Sequence, residues 1–159
     1  MSIDLEELTN FLVKAKTNTY ASGLENNISS QRPEFDELEF KEGKWEYRDS
    51  YCGFFRAPGQ EIVRFKEEPV WNMSYDGGML EEFHGDKEFA IQTFKFLQKA
   101  MRNIDPAKPF RGPSNFKDEN YEYIMEIDGD IKSFKGTEKI LFKGKVVFVQ
   151  NFMGGLIIK

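Results

Sequence analysis

Residues 59–80 (GQEIVRFKEEPVWNMSYDGGML) align without gaps on residues 136–157 (GTEKILFKGKVVFVQNFMGGLI), 77 positions further on. Seven of the 22 positions are identical: Gly59/Gly136, Glu61/Glu138, Phe65/Phe142, Lys66/Lys143, Val70/Val147, Gly77/Gly154 and Gly78/Gly155. Chance would supply about one or two identities at ordinary residue frequencies. Five further positions keep their chemical type, among them Val63/Ile140, Trp71/Phe148 and Tyr75/Phe152. With a step of 76, Trp45-Glu46-Tyr47 falls on Tyr121-Glu122-Tyr123 and Gly53 on Gly129, so the likeness extends backwards with one inserted residue before Gly136. Glycine turns and alternating aromatics recur in any antiparallel sheet, which leaves convergence as the alternative to duplication. The reading adopted is duplication, which constrains the fold more than any other feature: whatever the first half builds, the second builds again.

Local patterns give each half its elements. Asp4 caps a helix with Glu7 three residues on, and Leu5, Leu8, Phe11, Leu12 and Ala15 fall on one face, predicting a helix over residues 4–16. Residues 25–34, polar and containing Pro33, read as a surface loop. Short alternating runs cut by turn glycines then predict strands at 38–40, 45–51, 62–65 and 70–75. Asp86 opens a second helix reaching about Arg102, with an apolar stripe through Phe89, Thr93, Phe94, Leu97 and Met101. Three prolines between Asp105 and Pro113 forbid its continuation and mark the connector to the second set of strands. Those are expected at 121–127, 131–134, 138–142, 146–152 and 156–158. The fold class expected is therefore α+β: two helices covering an antiparallel sheet of about eight strands, in two tandem helix-plus-four-strand repeats (about 4–80 and 86–158) related by a pseudo-twofold. Neither half buries enough apolar surface alone, so the whole chain, 1–159, is expected to form one domain.

Composition narrows the function. The 159 residues carry 22 Lys+Arg and 27 Asp+Glu, a formal charge of -5, which is not the footprint of a nucleic-acid or anionic-membrane binder. No apolar run reaches the roughly 20 residues of a bilayer span, and the acidic start is unlike a signal peptide, so a cytoplasmic protein is expected. A single cysteine, Cys52, and a single histidine, His84, leave no disulfide, no zinc cluster and no evident thiol nucleophile. No phosphate loop, dinucleotide-binding turn or hydrolase elbow occurs, so no cofactor is expected. The glycine pairs 77–78 and 154–155 are expected to follow strands and to serve turns or bulges.

Candidate site residues come from the strand alternation. Trp45, Tyr47, Asp49 and Tyr51 share one face of a strand, and Trp71, Met73 and Tyr75 share a face of a neighbour. A carboxylate in an aromatic row is suited to receive a polar or cationic group, or else it pairs with Arg56, Arg64 or Arg111. Arg111, in the proline-rich connector, is either an anion clamp or a structural ion-pair partner. Glu61 and Glu138 occupy equivalent repeat positions. They are a candidate acid–base pair, or else ordinary surface partners of Lys66, Lys139 or Lys143.

The runs Gly43-Lys44-Trp45-Glu46-Tyr47-Arg48-Asp49-Ser50-Tyr51, Gly59-Gln60-Glu61-Ile62-Val63, Pro69-Val70-Trp71-Asn72-Met73 and Arg111-Gly112-Pro113 resemble an uncharacterised prokaryotic family of unknown function. The similarity covers about residues 5–158. Members of that family stand alone or behind a phage-repressor-type helix-turn-helix, which implies a sensing or partner-binding role when fused. No helix-turn-helix precedes the first helix in this sequence, so DNA binding is not expected of it. The family brings no established catalytic residues, and Cys52 stands where it would have an aromatic or small residue. The function expected is a non-enzymatic module binding a small molecule or peptide through Trp45, Tyr47, Asp49, Tyr51, Glu61, Trp71, Tyr75, Arg111 and Glu138. The alternatives are a small hydrolase or isomerase working through Glu61 and Glu138, and a homodimeric interaction protein.

Overall fold

A computed structural model describes residues 3–23 and 27–159. Helix α1 (Leu5–Asn18) starts where Asp4 accepts hydrogen bonds from the backbone N–H groups of Glu6 and Glu7. Its buried stripe comprises Leu8, Phe11, Leu12, Ala15 and, unusually, Lys16. Helix α2 (Lys87–Met101) is capped in the same way by Asp86 and buries Ala90, Thr93, Phe96, Leu97, Ala100 and Met101.

Among the described residues nine antiparallel strands form one sheet: β1 (Asn27–Ile28), β2 (Asp36–Glu42), β3 (Trp45–Tyr51), β4 (Gly59–Phe65), β5 (Glu68–Met79), β6 (Asn115–Asp118), β7 (Tyr121–Asp130), β8 (Ser133–Phe142) and β9 (Lys145–Leu156). Their spatial order is β1-β2-β3-β4-β5-β9-β8-β7-β6, two meanders joined at their last strands. Both helices lie on one face. α1 packs on β2 and β3, and α2 packs on β7 and on the 3-10 turn Tyr20–Ser22. The Arg102 Nε–H donates to the carbonyl of Ala21 at 2.7 Å and ties that turn to the end of α2.

The α+β class, both helices and the first meander follow the sequence pattern closely. The differences lie at edges and at glycines. Within the loop expected over 25–34, residues 25 and 26 lie outside the described residues, while Asn27 and Ile28 pair with Leu38 and Glu37 as a ninth strand. The short polar strand β6 was not expected. Residues 131 and 132 form the turn between β7 and β8, residues 133–134 and 138–142 belong to one strand, β8, continuous through Gly136, and β9 ends at Leu156 with no further strand after it. Gly77, Gly78, Gly154 and Gly155 lie inside β5 and β9 rather than after them.

The ladder repeats itself. Tyr47 pairs with Val63 and Val63 with Trp71; Tyr123 pairs with Ile140 and Ile140 with Phe148. The register shifts between Val63 and Arg64, and again between Ile140 and Leu141. Lys66-Glu67 and Lys143-Gly144 both take positive φ in two-residue hairpins, the geometry that matches strand twist. In the central pair, Trp71 faces Leu156, Tyr75 faces Phe152 and Met79 faces Phe148. Under the helices Tyr47, Val63, Trp71, Tyr123, Ile140 and Phe148 form one continuous core, each at most 3% exposed. Burying each large apolar side chain contributes roughly 1.5–3 kcal/mol.

Candidate functional site

Direct cross-strand partners share a face of a sheet. Leu38, Asp49, Glu61 and Met73 therefore lie in one row across β2 to β5, and Met125, Glu138, Gln150 and Gly77 in another across β7, β8, β9 and β5. Both rows point at the helices, which explains how charged side chains come to be almost fully buried: Asp49 is 3% exposed, Glu61 1% and Glu138 0%.

Two cations meet these carboxylates. Lys16, from the last turn of α1, forms an ion pair with Glu61, and its ammonium lies 5.8 Å from the ring centroids of Tyr47 and Trp71. Arg111 reaches in from the connector. Its Nε donates to Glu138 Oε1 at 3.0 Å, its Nη2 lies 2.9 Å from the same oxygen, and its Nη1 lies 3.7 Å from Glu61 Oε1. The hydroxyl of Tyr123 donates to Glu138 Oε2 at 2.7 Å and accepts from the backbone N–H of Gly112 at 3.0 Å, which fixes the connector over the second meander. Burial pulls the Arg111 guanidinium down, but Glu138 and Glu61 outweigh it and hold its proton more tightly than usual. Burial dominates at Lys16 and lowers its ammonium below the ordinary range, with Glu61 opposing.

Asp49 stands apart from this network. Its only hydrogen bond among the described residues comes from the Tyr75 hydroxyl, at 2.7 Å to Oδ1. Tyr75 can reach it because its neighbour in register is Gly59, where a Cβ would lie 2.3 Å from the hydroxyl. Burial, and next the negative charge of Glu61, push the Asp49 carboxyl up to about 7. Burial likewise lifts Tyr51, to about 12.

Asp49 and Arg111 open onto a cavity of about 270 Å³. Asp49, Tyr75 and Gln150 line it from the sheet, Tyr20, Phe94 and Gln98 from the helical layer, and Phe54 and Phe55 from the loop 52–58. That loop is seated by Gly78, whose φ of +149° and missing Cβ let the Phe55 carbonyl approach to 2.1 Å from where a Cβ would stand. Backbone bonds from Ala57 to Gly77 (3.0 Å) and from Met79 to Phe55 (2.8 Å) hold it there. Phe54 then packs edge-on against Phe94, centroids 5.7 Å apart. At the cavity floor Gln150, 4% exposed, carries an amide Nε2 with no hydrogen-bond partner among the described residues.

Of the nine candidate residues, Asp49, Tyr51, Tyr75 and Arg111 line this cavity. Glu61 and Glu138 do not: they are buried counter-ions of Lys16 and Arg111, not surface partners of Lys66, Lys139 or Lys143. Trp45, Tyr47 and Trp71 belong to the core. Trp45 sits between Phe11 and Phe65, centroids 5.5 and 4.6 Å away, and the Trp71 indole N–H donates to the Ile131 carbonyl at 3.1 Å. Arg56 and Arg64, the other partners considered for Asp49, pair with Asp76 and Glu46. Sequence reasoning missed Lys16, Tyr20, Gln98, Gln150 and the Phe54–Phe55 pair. Lys16 and Gln150 carried a signal: the first interrupts an apolar helical stripe, and the second has the inward parity of Phe148 and Phe152.

Fold and site together define a class: an α+β domain with a helical layer over one antiparallel sheet, and between them a buried ionic cluster beside a small aromatic cavity. Within that class the chain belongs to the family described as Domain of unknown function (DUF5680), whose model matches residues 49–157. No curated protein and no solved structure matches the chain. Among the described residues no helix is long and apolar enough to cross a membrane, and no three His, Cys, Asp or Glu side chains are placed to hold a metal ion.

Proposed function

We propose that the chain is a small-molecule-binding module whose site is the cavity at Asp49, Tyr75, Arg111 and Gln150. The observation that carries this reading is the Gln150 amide: a buried donor without a partner costs about 1–3 kcal/mol, a cost that a ligand acceptor atom in the cavity would offset. The volume suits a compact metabolite and is too small for a peptide segment. Acid–base chemistry through Glu61 and Glu138 has little support, because both carboxylates are turned into Arg111 and Lys16.

The reading extends to how the site arose. The matched registers, the matched ladder shifts and the central Tyr75–Phe152 pair support two copies of one unit about a pseudo-twofold. Under that relation Asp49 corresponds to Met125, Tyr75 to Phe152 and Tyr51 to Ile127. The second unit fills with apolar groups the places where the first holds polar ones, so the scaffold does not require Asp49 and Tyr75. The loop 52–58 differs too: its counterpart is the tight turn between β7 and β8, which has no room to roof a cavity.

The test is a thermal-shift screen of a metabolite library. A ligand at about 100 times its Kd stabilises by about 2.7 kcal/mol, roughly 5–10 °C for a domain of this size. Hits are expected to lose their shift in Asp49→Ala and in Gln150→Leu while both variants keep the wild-type circular dichroism. Hits that shift both variants as much as wild type would remove the cavity as the site.

A further inference from the structure

The buried charges beside the cavity do not balance. Lys16 and Arg111 are satisfied by Glu61 and Glu138, which leaves Asp49 as a third carboxylate. Among the described residues no lysine or arginine forms an ion pair with it; its one hydrogen bond is the neutral Tyr75 hydroxyl. The Arg111 guanidinium packs over the Tyr75 ring at 5.3 Å and is already shared by two carboxylates, so it offers an incoming anion little. An anion would also meet the field of Asp49, Glu61 and Glu138 together. Further aromatic rings line the cavity, among them those of Tyr20, Tyr51, Phe54, Phe55 and Phe94, beside the neutral amides of Gln98 and Gln150. Aromatic rings around a carboxylate attract cations through their negative faces and offer nothing comparable to anions.

We infer that the cavity takes a small organic cation, an ammonium group on an apolar body, with the ammonium at Asp49 and the body among the aromatic rings. The inference rests on the binding-module reading and assigns its ligand class. The Gln150 amide N–H would take an acceptor atom elsewhere on the same molecule.

Proton linkage follows from the surroundings of Asp49. Facing it are Glu61 on β4, which raises its carboxyl; Tyr75 on β5, Arg111 of the connector and Lys16 of α1, which lower it; and its strand neighbours Tyr47 and Tyr51, with Tyr20 close by. Asp36, exposed on β2, lines the same cavity. With its carboxyl at about 7, Asp49 must lose a proton to receive a cation, so affinity rises with pH, roughly tenfold from pH 6 to pH 8, while an alkylamine stays protonated throughout.

Three probes of one shape make the test: benzylamine, benzyl alcohol and benzoate, titrated into the full chain at pH 6 and pH 8 and followed by backbone amide shifts at Tyr51, Tyr75 and Phe94. Benzylamine is expected to move these amides, to bind at least tenfold more tightly than either analogue, and to tighten roughly tenfold at the higher pH. Asp49→Asn, which keeps the shape and removes the charge, is expected to abolish both the preference and the pH dependence. Benzyl alcohol or benzoate moving the same amides as tightly as benzylamine would overturn the cation assignment and leave the cavity standing as a site. If no probe moves them, the cation assignment falls, and the metabolite screen alone then decides the cavity. Benzylamine binding Asp49→Asn as well as wild type would also overturn it.

Discussion

Asp49 and Arg111 are buried to nearly the same degree, yet the surroundings make opposite demands of them. The Asp49 carboxyl is lifted to about 7 from its ordinary 3.8, so between those values the folded chain holds a proton that the unfolded chain has released. The stability from that proton is complete below about pH 4 and is lost as pH rises through 7. Asp49→Asn should therefore gain on wild type steadily between pH 4 and pH 8 in urea unfolding. A stability difference that stays flat across that range would show that Asp49 titrates normally. Arg111 must stay charged, because it faces both Glu61 and Glu138. Arg111→Met leaves those buried carboxylates short of a cation and should cost about 3–5 kcal/mol, a fall of roughly 6–20 °C in Tm. Arg111→Lys should recover only part of this, since one ammonium cannot reproduce the planar contacts to Glu138 while facing Glu61. Full stability in Arg111→Met would refute the ionic network as a structural element.

Gly78 shows how a single element serves the site at a distance. It lets the loop 52–58 lie flat on β5, and the loop brings Phe54 and Phe55 over the cavity. Gly78→Ala forces a side chain into φ +149° and against the Phe55 carbonyl, a strain of about 1–3 kcal/mol that lifting the loop relieves. Limited proteolysis should detect this as faster tryptic cleavage after Arg56, and wild-type resistance there would mean the loop is seated by other contacts. Glycine also explains what could and could not be read beforehand. Strand β3 was legible to the residue because a turn glycine and strict alternation bound it. Strand β8 was cut in two because Gly136 looks like a breaker, whereas it clears space for the Phe152 ring, which would lie 2.5 Å from a Cβ there. The edges β1 and β6 are short and polar and carry no apolar period. At the site, alternation found the face holding Asp49, Tyr51 and Tyr75, but parity cannot say how far along a strand the helical layer leaves a gap. Trp45, Tyr47 and Trp71 share that face and are covered. Phe54 and Phe55 lie in a loop with no period, so only the folded chain could reveal them.

The largest scale asks whether the two meanders are one cooperative unit, and the join between β5 and β9 carries the argument. That pairing runs from Trp71–Leu156 to Met79–Phe148 and lies at the middle of the sheet, so parting the halves would expose two long central strands and their unpaired backbone groups. The Trp71 indole bonds to Ile131 of the other meander, Phe134 stacks on it at 5.7 Å, and Arg111 joins Glu61 of one half to Glu138 of the other. Each contact becomes a loss if one half unfolds first. Both tryptophans, Trp45 and Trp71, lie in the first half, whereas far-UV circular dichroism reads both helices and all nine strands. In urea, tryptophan fluorescence and circular dichroism should therefore give one midpoint and one slope, and a fragment ending at residue 80 should show no cooperative transition of its own. Two separated midpoints, or a cooperatively folding fragment, would mean that each meander carries its own core. The ionic cluster would then be a docking contact between two small domains, and the cavity walls contributed by α2 and Gln150 would depend on that docking.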